Sequence, residues 1–421
     1  MVDSLPSRFS LLLDVIGRIN SRLALDAVLG QIMDAAKVIM DAEASSLIML
    51  DAETQELIIT LPTGPARAEI SGLRIPPGKG FAGWVATRGE PLVVEDAPSD
   101  PRFFGDLAKS GFKTRSLICV PMRDSEGRVM GVIQALNRTD GKPFDESDVP
   151  LFAAFADQAS IAIEKSRYYQ AALEKERLEQ QLALAREIQV GFWPKEIPVY
   201  DRVAIAGKSR PAAQVGGDYY DVIPIDADHC SLIVADVSGK GFPAAMIMAT
   251  VRGALRAQME SHASMAQIIT AINRMLVRDT PMEKYVTLFW AVLDVKSLEL
   301  TYTNAGHNPP LLFDPESRAT QELSEGGPVL GLLPAVRFAS GRRMLRPGES
   351  LVMFTDGIIE AQDPAEQMYG LERLRARIAE APARCDAGVF MEFLDEDVIG
   401  FSGDAAQYDD ATLLVVKVKG S

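Results

Sequence analysis

Four aspartates, each set against a short apolar run, constrain this chain more than any other feature. Cys230-Ser-Leu-Ile-Val-Ala235 reads as a buried strand and delivers Asp236 into the turn Val237-Ser-Gly-Lys-Gly241. Asp218 arrives beside it from Val215-Gly-Gly-Asp-Tyr-Tyr-Asp221. Far downstream, Leu351-Val-Met-Phe-Thr355 delivers Asp356-Gly357, and Asp409-Asp410 opens the strand Ala411–Val418. One Asp beside Gly is an ordinary turn residue. Four of them, each abutting an apolar strand, form the oxygen-rich set that a hard divalent cation such as Mg²⁺ or Mn²⁺ takes. Two such ions about 3.5–4 Å apart can bind a phosphoryl oxygen and activate a water near neutral pH.

Composition narrows the field. A chain of 421 residues is long for one core, so two domains are expected. A net charge of −15 excludes a basic face for nucleic acid or an anionic membrane. Three cysteines, Cys119, Cys230 and Cys385, share no paired spacing, which points to a reducing cytoplasm and no zinc site. With three histidines, a His-based metalloenzyme is not expected. No secretory signal or uninterrupted apolar stretch of spanning length is present, so no membrane association is expected.

Taken with Asn304-Ala-Gly-His-Asn-Pro-Pro310, Phe354-Thr-Asp-Gly357 and Asp409-Asp-Ala-Thr412, the motifs above resemble the bacterial PP2C-type (PPM) serine/threonine phosphatases. The resemblance covers roughly residues 180–420 and is nearest the sporulation and stress-response branch. It implies an α-β-β-α sandwich with the metals at one end, two divalent ions (Mn²⁺ or Mg²⁺), and direct attack of a metal-bridging hydroxide on phosphorus. It implies that Asp236 bridges the ions with the carbonyl of Val237, that Asp218 serves one ion, and that Asp356 and Asp409 serve the other. Asp410 stands beside Asp409, so which of the two is the ligand stays open, with Asp409 favoured. The branch implies a phosphorylated anti-anti-sigma (STAS-type) protein as substrate.

The N-terminal part reads as another domain. Apolar residues at helical spacing run through residues 5–40, then the period shifts to strands at Ala44–Leu50, Glu56–Thr60, Leu92–Val94, Ser116–Pro121 and Val129–Leu136. A helix between Phe144 and Ile163 closes the unit. Gly78-Lys-Gly80, Gly83-Trp84, Cys119-Val-Pro121 and Asn137-Arg138 with Phe144 and Asp148 resemble a GAF domain, an antiparallel sheet with helices. That resemblance implies a sensory module with a small-molecule ligand or a dimer contact. Arg138 stands where the cyclic-nucleotide-binding members have Lys, and Val149 where they have Glu, which argues against that ligand. Trp84, Phe103, Phe104 and Phe112 read either as pocket lining or as core.

Residues 164–190 form a charged stretch free of Gly and Pro, with Leu178, Leu182, Ala185 and Phe192 as a coiled-coil-like stripe. The organisation is thus α+β in two domains: a GAF domain over 1–163, a signalling helix over 164–194 and a phosphatase domain over 195–421. The helix and GAF domain are expected to join two protomers, the rival being a solitary linker, and the protein to be cytoplasmic. Lys240, before a helix N-terminus, reads either as a substrate-phosphate ligand or as a solvated turn residue, and Arg210 is a weaker guess of the first kind. His307 reads as a turn-stabilising side chain or a general acid, and Asp221 as a surface acid or one supporting the ligands. A catalytically silent scaffold is the rival to the enzyme, but it would lack a ligand, and none is lacking. A cyclic-dinucleotide synthase is rejected, because Tyr219-Tyr220 follows Gly216-Gly-Asp218 where Glu-Phe is needed.

Overall fold

The computed structural model describes residues 25–105, 111–260, 263–382 and 385–420. The N-terminal helix expected over 5–40 is seen as α1 (Leu25–Ile39); its part before residue 25 lies outside the described residues. Two compact units divide at Glu176/Arg177.

In the first unit, α1 leads into β1 (Ala42–Leu50), β2 (Leu57–Pro62), the short α2 (Arg67–Ile70) and β3 (Arg74–Ile75). Next come α3 (Gly80–Arg88), β4 (Leu92–Val94), β5 (Leu117–Arg123) and β6 (Val129–Arg138). The strands form one antiparallel sheet in the order β3-β2-β1-β6-β5-β4. Side chains alternate across it. Leu47, Ile118, Val120 and Ile133 pack against α1 and the closing helix, while Ile48, Leu117, Cys119 and Val132 face α3. Arg138 bonds Asp148 at 3.2 Å, so this part of the nucleotide-signature region is an internal ion pair. Phe103, Phe104 and Phe112 line a cavity on the α3 face, whereas Trp84 instead stacks under the Arg102 guanidinium at 5.1 Å.

The closing helix and the charged stretch, read separately from sequence, are one helix, α4 (Val149–Val190). Beyond Pro150 nothing in it interrupts the backbone bonds until Gly191. The expected stripe has two fates. Leu178 is exposed, while Leu182 and Ala185 are half-buried and Gln189 is buried.

The second unit is a four-layer sandwich. One sheet takes β8 (Tyr219–Pro224), β9 (His229–Val237), β10 (Val286–Asp294), β11 (Glu299–Ala305), β14 (Gly326–Gly327) and β15 (Gly341–Met344). The other takes β7 (Val203–Arg210), β12 (Leu311–Asp314), β13 (Ala319–Glu322), β16 (Ser350–Phe354) and β17 (Ala411–Val418). Helices α5 (Phe242–Met259) and α6 (Met265–Asp279) cover the first sheet. The second is covered by α8 (Leu371–Glu380) and α9 (Ala387–Ser402), with the one-turn α7 (Asp356–Ile359) following β16. The period of β9 shows how sequence positions the site. Cys230, Leu232 and Val234 enter the core between the sheets, while Ile233, Ala235 and Val237 face α5. By that alternation Asp236 shares the inward face.

Candidate metal centre

Each sheet brings two acids to one edge. Tyr219 pairs with Ala235, so Asp218, just before β8, and Asp236, at the end of β9, are neighbours. Phe354 pairs with Leu413, which sets Asp356 beside the Asp409-Asp410 segment. Close backbone approach is built in: a Cβ on Gly216 would meet Asp410 Oδ2 at 2.1 Å, and one on Gly357 would meet Asp410 O at 2.0 Å. Neither position admits a side chain.

The acids have separate duties. Asp218 is buried, and its Oδ2 accepts hydrogen bonds from Thr355 Oγ1 at 2.7 Å and Thr412 Oγ1 at 2.6 Å. Its Oδ1 is buried and takes no hydrogen bond from any neighbouring N–H or hydroxyl. Asp410 has both oxygens engaged by backbone, Oδ1 by Ala212 N and Oδ2 by Gly217 N, each at 2.7 Å. Asp409 is more open; its Oδ1 accepts the Asp410 amide at 2.8 Å and its Oδ2 meets Lys240 Nζ at 3.0 Å. Lys240 also donates to the carbonyl of Tyr408 and lies over that ring.

Negative charge is concentrated here. Burial, then the nearby Asp236 and Asp410, raises the pKa of Asp218 well above the carboxylate range. Burial pushes Asp236 up to about 7, assisted by Asp356, Asp409 and Asp410. Asp356 rises to about 6, again by burial first, then by Glu360 and Asp409. Burial of like charges at this density favours a cation. Among the described residues, no three His, Cys, Asp or Glu side chains yet enclose a metal position. The donor set nevertheless fits a hard divalent ion: carboxylate oxygens, a buried oxygen left without a donor, and the Val237 carbonyl facing Gly217.

Other candidates fall into place around this centre. His307 is buried and held neutral, its pKa lowered to about 4 by burial. Its Nε2 donates to Phe354 O at 3.1 Å, so Nδ1 accepts from Thr287 Oγ1 at 2.8 Å. It therefore joins β10 to β16 as a structural crosslink. Asp221 is fully buried and not on the surface; it takes Arg256 Nε and Nη2 at 2.9 and 2.7 Å, tying β8 to α5. Arg210 pairs with buried Asp395 at 2.9 Å. Cys230 is buried, and burial raises its pKa to about 11, which disfavours a nucleophilic thiolate. Thr355 and Thr412 stand inside the sequence motifs, and Gln189 in the charged stretch 164–190, without an expected role. Gln189 Nε2 donates to Gly216 O at 2.7 Å, and its Oε1 accepts the Gly216 amide at 3.0 Å.

An α-β-β-α sandwich with acids gathered at one end of the sheets is the arrangement that the resemblance to PP2C-type phosphatases implies. The family described as "Stage II sporulation protein E (SpoIIE)" matches residues 226–419, and the GAF domain family matches residues 24–163. The chain thus carries a GAF domain followed by a SpoIIE-type PP2C phosphatase domain. Asp236, Asp356 and Asp409 lie inside the first match and Asp218 just ahead of it.

Among curated relatives, "Protein IcfG" of Synechocystis is 26% identical over 56% of this chain and 41% of its own length. "Phosphoserine phosphatase RsbU" of Bacillus subtilis is 26% identical over 58% of this chain and 72% of its own. The chain thus spans under half of the first relative. The SiaA-PP2C domain of Pseudomonas aeruginosa shares the fold, with a TM-score of 0.52 and 20% identity over 59% of this chain and 100% of that one. Among the described residues no helix is long and apolar enough to cross a membrane.

Proposed function

We propose that the protein is a cytoplasmic metal-dependent serine/threonine protein phosphatase, acting on a phosphorylated STAS-type regulator and gated by its GAF domain. The observation that carries this reading is the buried Asp218 Oδ1, without a donor, amid acids whose burial and mutual repulsion call for cations. Asp218, Asp236, Asp356, Asp409 and the Val237 carbonyl would hold two Mn²⁺ or Mg²⁺ ions. Bound there, the ions would supply a water that ionises near neutral pH to a nucleophile for phosphorus, and would offset charge on the phosphate.

The chain's own residues do the rest. Thr355 and Thr412 fix the Asp218 carboxylate, which leaves Oδ1 for the ion. Asp410 clamps the loops before β8 to the start of β17. Lys240, at the rim, carries the positive charge nearest Asp409 and would meet an incoming phosphate from there.

Gating is supported by the junction of α4 with the metal loop. Gln189 caps both backbone groups of Gly216, two residues from Asp218. Arg252 of α5 donates to Phe192 O at 3.1 Å and stacks on its ring, so the end of the linker also grips α5. A signal that shifts α4 would move the Asp218 loop. The exposed Tyr168, Tyr169 and Leu173 of α4 suit a homodimer through this helix.

Phosphorylated STAS-type proteins are the test substrates. Release of phosphate no faster than from unrelated phosphoproteins removes that assignment. If residues 195–421 alone match the full chain in activity, with and without effector, the gating proposal fails.

A further inference from the structure

The two sides of the centre hold their acids differently. Asp218 keeps one buried oxygen, Oδ1, outside every hydrogen bond, whereas both oxygens of Asp409 are engaged. An ion meets an uncommitted oxygen at Asp218. At Asp409 it must share an oxygen with the Asp410 amide or displace the Lys240 ammonium from Oδ2.

The two loops decide which partner yields. Asp409 is fixed, because Gln407 Nε2 donates to Asp409 O at 2.8 Å and to Arg210 O, at the end of β7, at 2.6 Å. Asp410 holds the same segment to Ala212 and Gly217. The Lys240 side chain is 44% exposed and lies between Gly239 and Gly241, whose φ of +91° and +74° suit glycine. Its loop is pinned one residue earlier still, where Ser238 N donates to Tyr285 O and Ser238 Oγ accepts Tyr285 N, each at 2.9 Å. Lys240 can therefore leave Asp409 by turning its own side chain, while Asp236 and Ser238 stay in place. Besides Asp409, its holds are the carbonyl and ring of Tyr408, an exposed residue.

We propose that Lys240 is a built-in competitor for the ion at Asp409, which makes the Asp356–Asp409 position the weaker of the two and frees the ammonium only when that position fills. The inference rests on the phosphatase reading, which puts the ions at these acids. Charge carries it. An ammonium and a divalent ion seek the same carboxylate, and like charges that close repel, so the ion must offset the loss of the Lys240 pair. A half-exposed pair contributes little, so the handicap is modest, about fivefold in affinity. That is enough to order two ions and too little to bar one. Lys240 is then a positioning residue that sets metal occupancy, and its release leaves the ammonium beside the centre to face a phosphate.

The test is Mn²⁺ calorimetry without substrate on the full-length protein, Lys240→Met and Lys240→Arg. The wild type should bind two ions with separate affinities. Lys240→Met should tighten the weaker about fivefold and leave the tighter within about twofold. Lys240→Arg keeps the charge and should stay within about twofold of the wild type at both positions. A second ion detected only in Lys240→Met supports the proposal equally. Raising NaCl from about 0.1 M to about 1 M should narrow the gap between wild type and Lys240→Met, because salt screens an exposed pair. The proposal is overturned if the wild type binds both ions alike, or if Lys240→Met leaves the weaker position unchanged or loosens it. Equal tightening at both positions, or tightening by Lys240→Arg as large as by Lys240→Met, overturns it as well. Absence of any Mn²⁺ binding by the wild type removes the metal reading itself, and this inference with it.

Discussion

Replacing Asp409 and Asp410 one at a time should separate two kinds of loss that their adjacency conceals. Asp410 is 7% exposed and accepts from two backbone amides, that of buried Gly217 and that of half-buried Ala212. Hydrogen bonds to a charged group contribute about 1.5–3 kcal/mol each, so Asp410→Ala removes about 3–6 kcal/mol of contacts. Relief of its repulsion with Asp218 and Asp236 returns part of this, leaving a net cost of about 2–5 kcal/mol. Against a domain stability of about 5–15 kcal/mol this is a severe loss. Asp410→Asn keeps one acceptor and turns an NH₂ toward the other amide, so it should cost roughly half as much. Asp409→Asn loses chiefly the part-exposed Lys240 pair, worth about 0–1 kcal/mol.

The assay is urea unfolding in chelator on a Trp84→Phe background, where Trp193 and Trp290 report the phosphatase unit alone. Mn²⁺ binding is then measured by calorimetry. Asp409→Asn should unfold like its parent yet lose one ion; Asp410→Ala should unfold early. An Asp409→Asn variant destabilised as much as Asp410→Ala would refute the division of roles, as would an Asp410→Ala cost below about 1 kcal/mol.

Three further outcomes follow from the same geometry. Asp236 and Asp356 titrate near 7 and 6 in the folded chain, above the unfolded value of about 3.9. Their stabilising contribution without metal is therefore full below pH ~4 and lost as pH rises through 6 and 7, so chelated protein should melt higher at pH 5.5 than at pH 8. Asp236→Asn should flatten that dependence; a steeper rise toward pH 8 would contradict it. Gln189→Leu leaves both backbone groups of Gly216 unpartnered and should raise the Mn²⁺ concentration for half-maximal activity about fivefold or more, with unchanged helix content; an unchanged Mn²⁺ midpoint would separate α4 from the metal loop. His307→Gln should lower stability by about 1–3 kcal/mol while leaving the pH limits of kcat in place, since a neutral crosslinking imidazole donates no proton to a leaving group; loss of one limb would restore it as a general acid.

The sandwich was legible because short continuous apolar runs end visibly at Asp236 and just before Asp356, and strand pairing then gathers the acids. The GAF sheet was legible for the same reason. What stayed hidden depends on partners far away in the chain. Asp409 and Asp410 are indistinguishable until amides from Ala212 and Gly217 fall on one of them, 198 and 193 residues away. Lys240 read either as a phosphate ligand or as a solvated turn cation because its contact, Tyr408, lies 168 residues on. Gln189 sat in a charged helix whose pattern suggested a coiled-coil seam, and only the fold reveals its bonds to Gly216. Asp221 read as a surface acid or one supporting the ligands because its counter-ion, Arg256, comes from the next helix.

The most direct test of the central claim is turnover of 4-nitrophenyl phosphate by the full-length protein with Mn²⁺, with Mg²⁺ and with chelator, alongside Asp236→Asn. The account predicts metal-dependent turnover that chelator stops and Asp236→Asn abolishes. Turnover that survives chelator or the substitution would contradict it, and silence under every metal, with a phosphoprotein substrate as well, would leave the domain a binding scaffold.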